Sequence, residues 1–312
     1  MSKQLRVAII LCALAMFAAL ISACGGDTGG STSTAGSGAA TKPAGGSSGG
    51  STACATGTIQ ATGSTALQPL VKAVATDYQK KCSGANITIG GGGSGTGLKN
   101  AQDGSSQIGD SDIFADKTKY PDLVDNQVAI VVFSVVINSK VTGVTNLTSD
   151  QLKGIYSGKT KNWSALGGPN LAIVPVSRPA GSGTRVTFET YILGGKESIS
   201  GNPVANSSGD VSNTVGQTDG AVSYIASDYA KKNNLTVVKV DGNDDSDANV
   251  QNNTYKFWNI EHMYTKGAAS GLAQSFIAYV KSPDTASIRQ QQGFLDISKM
   301  SQDAITAKTP KS

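Results

Sequence analysis

The 312-residue sequence predicts an exported protein whose folded body has an α/β fold with mainly parallel sheets. Strand-like and helix-like runs alternate through residues 54–312, which is the pattern of parallel strands joined by helices. An apolar leader and a stretch rich in glycine, serine and threonine precede this body. Three of the predicted strands end in loops of glycine and hydroxyl residues that lead directly into helices.

Residues 1–23 are predicted to be a bacterial lipoprotein signal peptide. Lys3 and Arg6 precede an uninterrupted apolar run of 15 residues, 7–21, whereas a membrane span needs roughly 20. A short apolar run after a positive start is typical of a signal peptide. The small residues directly before Cys24 resemble a lipobox, so Cys24 is predicted to become the lipid-bearing first residue of the mature chain. Ordinary cleavage near Ala23, with Cys24 unmodified, is the alternative.

Residues 24–53 are predicted to be a lipid-anchored linker. They are almost entirely glycine, serine, threonine and alanine, a composition that cannot build a core and behaves as a flexible coil. Such a coil has a root-mean-square span on the order of 30 Å. We therefore expect the folded body to lie just off the extracytoplasmic face of the cell membrane.

The charge balance excludes nucleic acid as a partner. The whole chain has 26 basic and 22 acidic residues, for a net charge of +4, and loss of residues 1–23 removes Lys3 and Arg6 and leaves +2. A nucleic-acid-binding domain would instead show a clustered basic surface. No cluster of lysine and arginine occurs in the sequence.

Cys54 and Cys82 are predicted to form a disulfide. Both would lie in an oxidising compartment after export. Cys54 directly precedes the predicted strand 58–61, and Cys82 directly follows the predicted helix 67–81. The strand runs one way and the helix runs back, so the two cysteines should meet at the same end. Two free thiols are the alternative.

The body is divided into predicted elements by its hydrophobic periodicity. The run 128–137 is apolar throughout and long enough for a strand that leaves one domain and enters another. The predicted strands are 58–61, 86–90, 127–138, 171–176 and 235–240, and the predicted helices are 67–81, 149–156, 184–193, 221–232 and 272–280.

Three loops share one chemistry. They read ATGSTA at 61–66, GGGGSGTGLK at 90–99 and SRPAGSGTR at 177–185. The start of a helix carries unpaired N–H groups and partial positive charge, and glycine lets the backbone approach a ligand closely. For one loop alone, ordinary helix capping would be the better interpretation. Three such loops, one of them containing Arg178 and Arg185, favour a site for one small anion.

Other kinds of site are poorly supported. The G-x-G-x-x-G pattern at 90–95 is weak in so glycine-rich a tract, and the single histidine, His262, has no nucleophile motif near it. We interpret His262 as a surface or hinge residue. The acidic turn at 241–246 imitates a calcium loop but lacks the glycine and glutamate that such a loop needs. The sequence therefore predicts no metal, no cofactor and no catalytic residue.

Four motifs together resemble the phosphate-binding proteins of ABC importers. They are GSTALQP at 63–69, GGSGTG at 92–97, IGDSD at 108–112 and RPAGSGT at 178–184, and the resemblance covers 57–312. It implies a type II periplasmic-binding-protein fold, in which two α/β lobes are joined by two crossing strands and the ligand lies in the cleft. It also implies that residues 54–133 and 257–312 form the first lobe and that 134–256 form the second.

The resemblance implies a set of phosphate ligands. Asp112 corresponds to an acidic ligand, which can accept the O–H of a protonated phosphate but repels sulfate, which has no proton to give. Its alternative roles are to cap a turn or to orient Arg178. The implied ligands are Ser64, Thr65, Ala66, Ser94, Asp112, Arg178, Ser182, Gly183 and Thr184.

The implied function is binding without catalysis. The protein would capture inorganic phosphate outside the cell and deliver it, as a monomer, to a membrane permease. Capture of sulfate or molybdate, or phosphate sensing without transport, are the alternatives, and a phosphomonoesterase is disfavoured because the sequence offers neither metal site nor base. The segment FWNIEHM at 257–263 departs from the family's Tyr-Pro-x-x-Arg-Pro pattern, and Ala66 and Ser223 are smaller departures.

Overall fold

The structure is a computed structural model that describes residues 54–310. Its strands form one sheet. The strands predicted at 58–61, 86–90, 127–138 and 235–240 are present close to those positions, whereas the strand 258–266 was not among the predicted ones. In chain order the strands are β1 (Gly57–Gly63), β2 (Ala85–Ile89), β3 (Ile108–Ser111), β4 (Leu123–Val124), β5 (Gln127–Ile137), β6 (Asn146–Leu147), β7 (Val174–Pro175), β8 (Ala221–Ala226), β9 (Thr236–Val240) and β10 (Trp258–Lys266).

The helices pack around this sheet, and several of them begin with a capping side chain. Thr148 and Gln151, for example, form a reciprocal capping box at the start of the third helix. The α-helices are α1 (Gln68–Lys81), α2 (Ser94–Asp103), α3 (Ser149–Tyr156), α4 (Gly183–Phe188), α5 (Ser208–Gln217), α6 (Ser227–Lys232), α7 (Asp247–Gln251), α8 (Gly271–Lys281), α9 (Ala286–Gln291) and α10 (Gln302–Lys308).

Two long strands join two lobes, as the type II periplasmic-binding-protein fold requires. The sheet order is β2-β1-β3-β10-β5-β8-β7, with β9 also paired to β5. Strand β5 pairs with β10 up to Val132 and with β8 from Phe133 onward, so one strand belongs to both halves of the sheet. We call the half with β1 to β3, α1, α2 and α8 the first lobe, and the half with β6 to β9 and α3 to α6 the second lobe. The exact residues that divide the lobes stay a prediction.

Two of the expectations on secondary structure are wrong. The sheet is mixed rather than mainly parallel, because the crossing strands β5 and β10 run antiparallel to each other and to their neighbours. Residues 221–226 are strand β8 and not the first half of a helix; all six side chains are buried, and the strand pairs with β5 on one side and β7 on the other. Pairing on both edges of a buried run overrides its weak helical pattern.

Glycines bring the first two loops together at the carboxyl ends of β1 and β3. A Cβ on Gly97, in the first turns of α2, would lie 2.4 Å from the Asp110 carbonyl oxygen and 2.7 Å from that of Thr62. A Cβ on Gly63 would lie 2.1 Å from the Asp110 oxygen. Only glycine allows so close an approach of a helix to two strand ends. This packing places the starts of α1 and α2 beside each other.

The predicted signal peptide, the lipidation of Cys24 and the linker 24–53 lie outside the described residues. Among residues 54–310, no helix has the length and apolar character that a membrane crossing requires.

The disulfide between Cys54 and Cys82 is confirmed. The two residues lie at the start of β1 and the end of α1, with their Cα atoms 5.3 Å apart and a sequence separation of 28. Cys82 is buried in the core of the first lobe, where it packs with residues of α1 and β2. The bridge therefore ties the first strand to the helix that follows it.

Replacing both cysteines by serine should lower the free energy of unfolding by about 3–4 kcal/mol, because the unfolded chain is then no longer closed into a loop. Denaturant unfolding of the oxidised wild type and of Cys54→Ser/Cys82→Ser measures this difference. The matched control is the wild type in a thiol reductant. Its free energy of unfolding should fall to that of the variant, whereas the reductant should not change the stability of the variant. Equal stability of wild type with and without reductant would contradict the prediction.

Candidate functional site

Ser64 and Asp112 form the centre of the site on the first lobe. Ser64 follows β1, and its hydroxyl donates to Asp112 Oδ1 while it accepts from the backbone N–H groups of Ala66 and Leu67, at 3.1 and 3.0 Å. The Asp112 N–H donates to Ser94 Oγ at the start of α2, 3.0 Å away. Ser64, Ala66, Ser94 and Asp112 are at most 2% exposed, and Thr65, the fifth predicted residue of this region, is also buried. The first two predicted loops thus converge on one carboxylate.

Arg178 dominates the second lobe's side of the site. Its side chain is 1% exposed, and its Nε donates to the Ala205 carbonyl at 2.9 Å. Its Nη2 reaches across to Thr65 Oγ1 of the first lobe, at 3.3 Å. Its Nη1 is buried and has no hydrogen-bond partner within the described residues. One arm of a buried guanidinium is therefore free to donate to an anion.

The third loop closes against the first two. Ser182 caps α4 by accepting from the Arg185 N–H at 3.3 Å, and Gly183 and Thr184 are the first residues of that helix. The Thr184 hydroxyl donates to Asp112 Oδ2 at 3.0 Å. The first backbone N–H groups of a helix have no acceptor within the helix and attract negative charge. The structure thus brings all nine predicted site residues into one buried cluster where the two lobes meet.

Burial disfavours the ionised form of Asp112, and the groups around it act in the opposite direction. Burial raises the pKa of the Asp112 carboxyl above its ordinary value, and the hydrogen bonds from Ser64 and Thr184 and the positive charge of Arg178 offset only part of this effect. Burial likewise lowers the pKa of Arg178, and the nearby Asp112 carboxylate counteracts this effect. The two charges compensate each other, and hydroxyl donors from both lobes surround the carboxylate.

Arg185 does not belong to the anion-facing group but supports it. Its Nη1 donates to the backbone carbonyl of Arg178 at 2.7 Å, and its Nε lies 2.9 Å from Glu189 Oε1 and 3.6 Å from Glu197 Oε2. Burial raises the pKa of the Glu189 carboxyl, but the bonds from Lys196 and Arg185 outweigh this effect and leave it below its ordinary value. Arg185 therefore pairs with two acids of its own lobe.

Several site residues had not been identified from the sequence. Ser208, the first residue of α5, donates its N–H to Thr65 Oγ1 at 3.2 Å, and the Tyr229 hydroxyl donates to the Thr65 carbonyl at 3.2 Å. Ser207 caps α5 and is followed three residues later by Asp210, a pattern that indicates the start of a helix in the sequence. Tyr229 and the Ala205 carbonyl had no comparable signal, because only the closed fold brings them to the cleft.

His262 lies on β10 and is fully buried, so its expected surface location is wrong while its place on a crossing strand agrees with a hinge. Its Nδ1 lies 2.8 Å from Asp125 Oδ1. The acidic turn at 241–246 is a solvated loop between β9 and α7. Among residues 54–310, no group of His, Cys, Asp and Glu side chains is placed to hold a metal ion.

Comparison with known families matches residues 48–284 to the PBP superfamily domain. The phosphate-binding protein PstS of Bacillus subtilis (strain 168) is 40% identical over 250 residues, which cover 79% of this chain and 83% of that protein.

Two solved structures have a similar fold. One is a candidate phosphate ABC transporter substrate-binding protein from Clostridium perfringens with bound phosphate, which has a TM-score of 0.73 and 31% sequence identity, over 77% of this chain and 100% of that one. The other is an ABC-type phosphate transport receptor from Vibrio cholerae, with a TM-score of 0.63 and 24% identity, over 76% of this chain and 99% of that one.

Replacing Arg185 by methionine should lower the free energy of unfolding by about 3 kcal/mol, because it leaves the buried Glu189 and Glu197 without their shared cation. Chemical denaturation measures the loss. Lys140→Met is the matched control, since Lys140 pairs with Asp219 at the surface and its loss should cost within about 0.5 kcal/mol. Equal stabilities of the two variants would show that the buried ion pairs do not support the Arg178 loop.

Proposed function

The chain belongs to the PBP superfamily and, within it, to the family of the phosphate-binding protein PstS, and we propose from this membership that it is the substrate-binding protein of a phosphate ABC importer. It captures inorganic phosphate in the cleft between its lobes and releases it to a permease.

The free Nη1 of Arg178 is the observation that carries the proposal. Arg178 is 1% exposed, and one amino group of its guanidinium has no hydrogen-bond partner among residues 54–310. Such a group is costly to bury unless a ligand completes its hydrogen bonds. An oxyanion does so with charge-assisted bonds, and the planar guanidinium can engage two of its oxygens at once. Hydroxyl groups from both lobes surround the same place. The ligand set is Ser64, Thr65, Ala66, Ser94, Asp112, Arg178, Ser182, Gly183 and Thr184.

Asp112 favours phosphate over other tetrahedral oxyanions. Near neutral pH phosphate still carries a proton and sulfate does not, and an ionised carboxylate can only accept hydrogen bonds. Asp112 can therefore take the O–H of phosphate, whereas sulfate would place like charge and lone pairs against it in a buried cleft. Discrimination by such an unmatched polar group reaches about 10⁴-fold or more. The same carboxylate disfavours sulfate or molybdate as the natural ligand.

The proposed role is binding without turnover, at the outer face of the cell membrane. The candidate leader 1–23 and the lipobox cysteine Cys24 support export and lipid anchoring, and the linker 24–53 gives the body reach toward a permease. The relatives' names describe binding and transport of phosphate, which supports the same assignment. The permease subunits and the anchored membrane are the partners, and the binding protein acts as a monomer.

Calorimetric titration of the purified protein with phosphate, sulfate and molybdate tests the function. The proposal expects one phosphate per chain and an affinity for the other two ions that is lower by orders of magnitude. Preferential binding of sulfate or molybdate would mean that this ion, and not phosphate, is the ligand. Turnover of a chromogenic phosphate ester by the same preparation would show an enzyme instead of a binding protein.

Gly183→Ala should weaken phosphate binding by about tenfold or more, because the added methyl group prevents the lobes from closing. Its Cβ would lie 2.3 Å from Ser94 Oγ and 2.9 Å from Asp112 Cβ, both on the opposite lobe. Phosphate titration by calorimetry measures the effect.

Gly181→Ala in the same loop is the matched control. A Cβ on Gly181 would meet only the Gly95 Cα, at an ordinary contact distance of 3.9 Å, so this variant should bind far better than Gly183→Ala. Phosphate affinities that are equal for the two variants would mean that the closed packing of α4 against the first lobe is not the bound state.

A further inference from the structure

Three buried carboxyl groups lie close together where β3 ends beside β10. Strand β10 pairs antiparallel with β3, with His262 opposite Ser111 and Met263 opposite Asp110. Because side chains alternate between the faces of a strand, Glu261, two residues before Met263, lies on the same face as Asp110. Asp112 directly follows the last residue of β3, and its carboxyl lies near that of Glu261. Each of them is at most 2% exposed.

The three carboxyls differ in their hydrogen bonds. Asp112 accepts from Ser64 and Thr184 and lies near Arg178. Neither oxygen of Glu261 receives a hydrogen bond from any donor in the described structure, and the same holds for Asp110. An ionised carboxylate that is buried without a donor or a cation is strongly unfavourable. A carboxylic acid, in contrast, carries its own donor and needs only an acceptor.

The groups around Glu261 are acidic. Its carboxyl lies within hydrogen-bonding reach of Asp112 and close to Asp110, and Asp228 at the start of α6 is the acidic group from the second lobe. Burial, and after it the negative charge of Asp112, raises the pKa of Glu261 well above its ordinary value. Arg178 is the nearby cation, and its charge stabilises the ionised form of Asp112.

We propose that Glu261 remains a neutral carboxylic acid in the closed cleft, donates its proton to the Asp112 carboxylate, and thereby acts as a positioning and specificity-determining residue for the oxyanion. This inference rests on the proposed function, which places the ligand against Asp112. Glu261 itself does not touch the ligand in this arrangement. It acts through the carboxylate that does.

The proton of Glu261 fixes how many ligand protons Asp112 can take. An ionised carboxylate offers about four acceptor positions. Ser64, Thr184 and Glu261 occupy three of them, which leaves one for a single O–H of the ligand. Loss of the Glu261 proton would place a second negative charge beside Asp112 and repel the anion. Phosphate affinity should therefore fall as the pH rises through the pKa of Glu261.

The glutamate content makes the protonation state directly measurable. The whole chain has only three glutamates, Glu189, Glu197 and Glu261. Labelling the glutamate side-chain carboxyl with ¹³C gives three resonances, whose chemical shifts distinguish the acid from the carboxylate. We expect one resonance of the full-length protein to have the shift of a protonated acid at neutral pH, and this resonance should be absent from Glu261→Gln.

The matched variants decide the assignment. Glu189→Gln should keep the acid resonance, because Glu189 is ionised between Arg185 and Lys196. An acid resonance that disappears in Glu197→Gln and persists in Glu261→Gln would overturn the proposal. Three carboxylate shifts in the wild type at neutral pH would also overturn it, and that measurement requires no variant to fold.

Phosphate titrations across pH test the role in binding. Wild type should lose at least about tenfold more affinity than Glu261→Gln between neutral pH and about one pH unit above the midpoint at which the acid resonance titrates, since glutamine stays neutral. Parallel pH profiles would show that Glu261 does not act on the ligand through Asp112. If the wild type binds no phosphate at all, the proposed function fails, while the resonances still decide whether Glu261 is an acid.

Discussion

A buried Arg178 guanidinium facing a buried Asp112 carboxylate is the constraint on which the rest of the molecule depends. Each charge loses most of its water, and each is at most 2% exposed. The arrangement is tolerable only because hydroxyl groups donate to Asp112, a backbone carbonyl accepts from Arg178 and the two opposite charges lie near each other. One Arg178 amino group still has no hydrogen-bond partner among residues 54–310. The cleft is thus arranged to gain most from a ligand that is both an anion and a proton donor.

The fold supplies this pair from two different lobes. Asp112 follows β3 in the first lobe, and Arg178 follows β7 in the second, while β5 and β10 hold the two halves in one sheet. Closure therefore depends on small residues at the contact. The Gly95 N–H donates to the Gly181 carbonyl at 2.9 Å, so the helix starts of the two lobes touch through their backbones. Specificity and closure are two consequences of the same packing.

The sequence alone predicted the local parts of this arrangement well. The capped helix at 149–156, the long crossing strand from Gln127 and the three glycine-rich loops depend on nearby residues, and the structure has them close to the predicted positions. What could not be predicted depends on long-range pairing. Residues 221–226 were predicted to be helical, because the strands that pair with β8 are distant in the sequence and leave no local signal. The cluster of Glu261 with Asp112 likewise arises only when β10 returns beside β3.

The phosphate-over-sulfate affinity ratio of Asp112→Asn tests the central claim most directly. Asparagine keeps the shape of the side chain but can donate a hydrogen bond, so the ratio measured by calorimetry at neutral pH should fall by at least about tenfold relative to wild type. Asp110→Asn is the matched control, because Asp110 lies on β3 two residues before Asp112, and it should keep the wild-type ratio. An unchanged ratio in Asp112→Asn, with folding intact by circular dichroism, would contradict the claim that Asp112 selects the protonated anion.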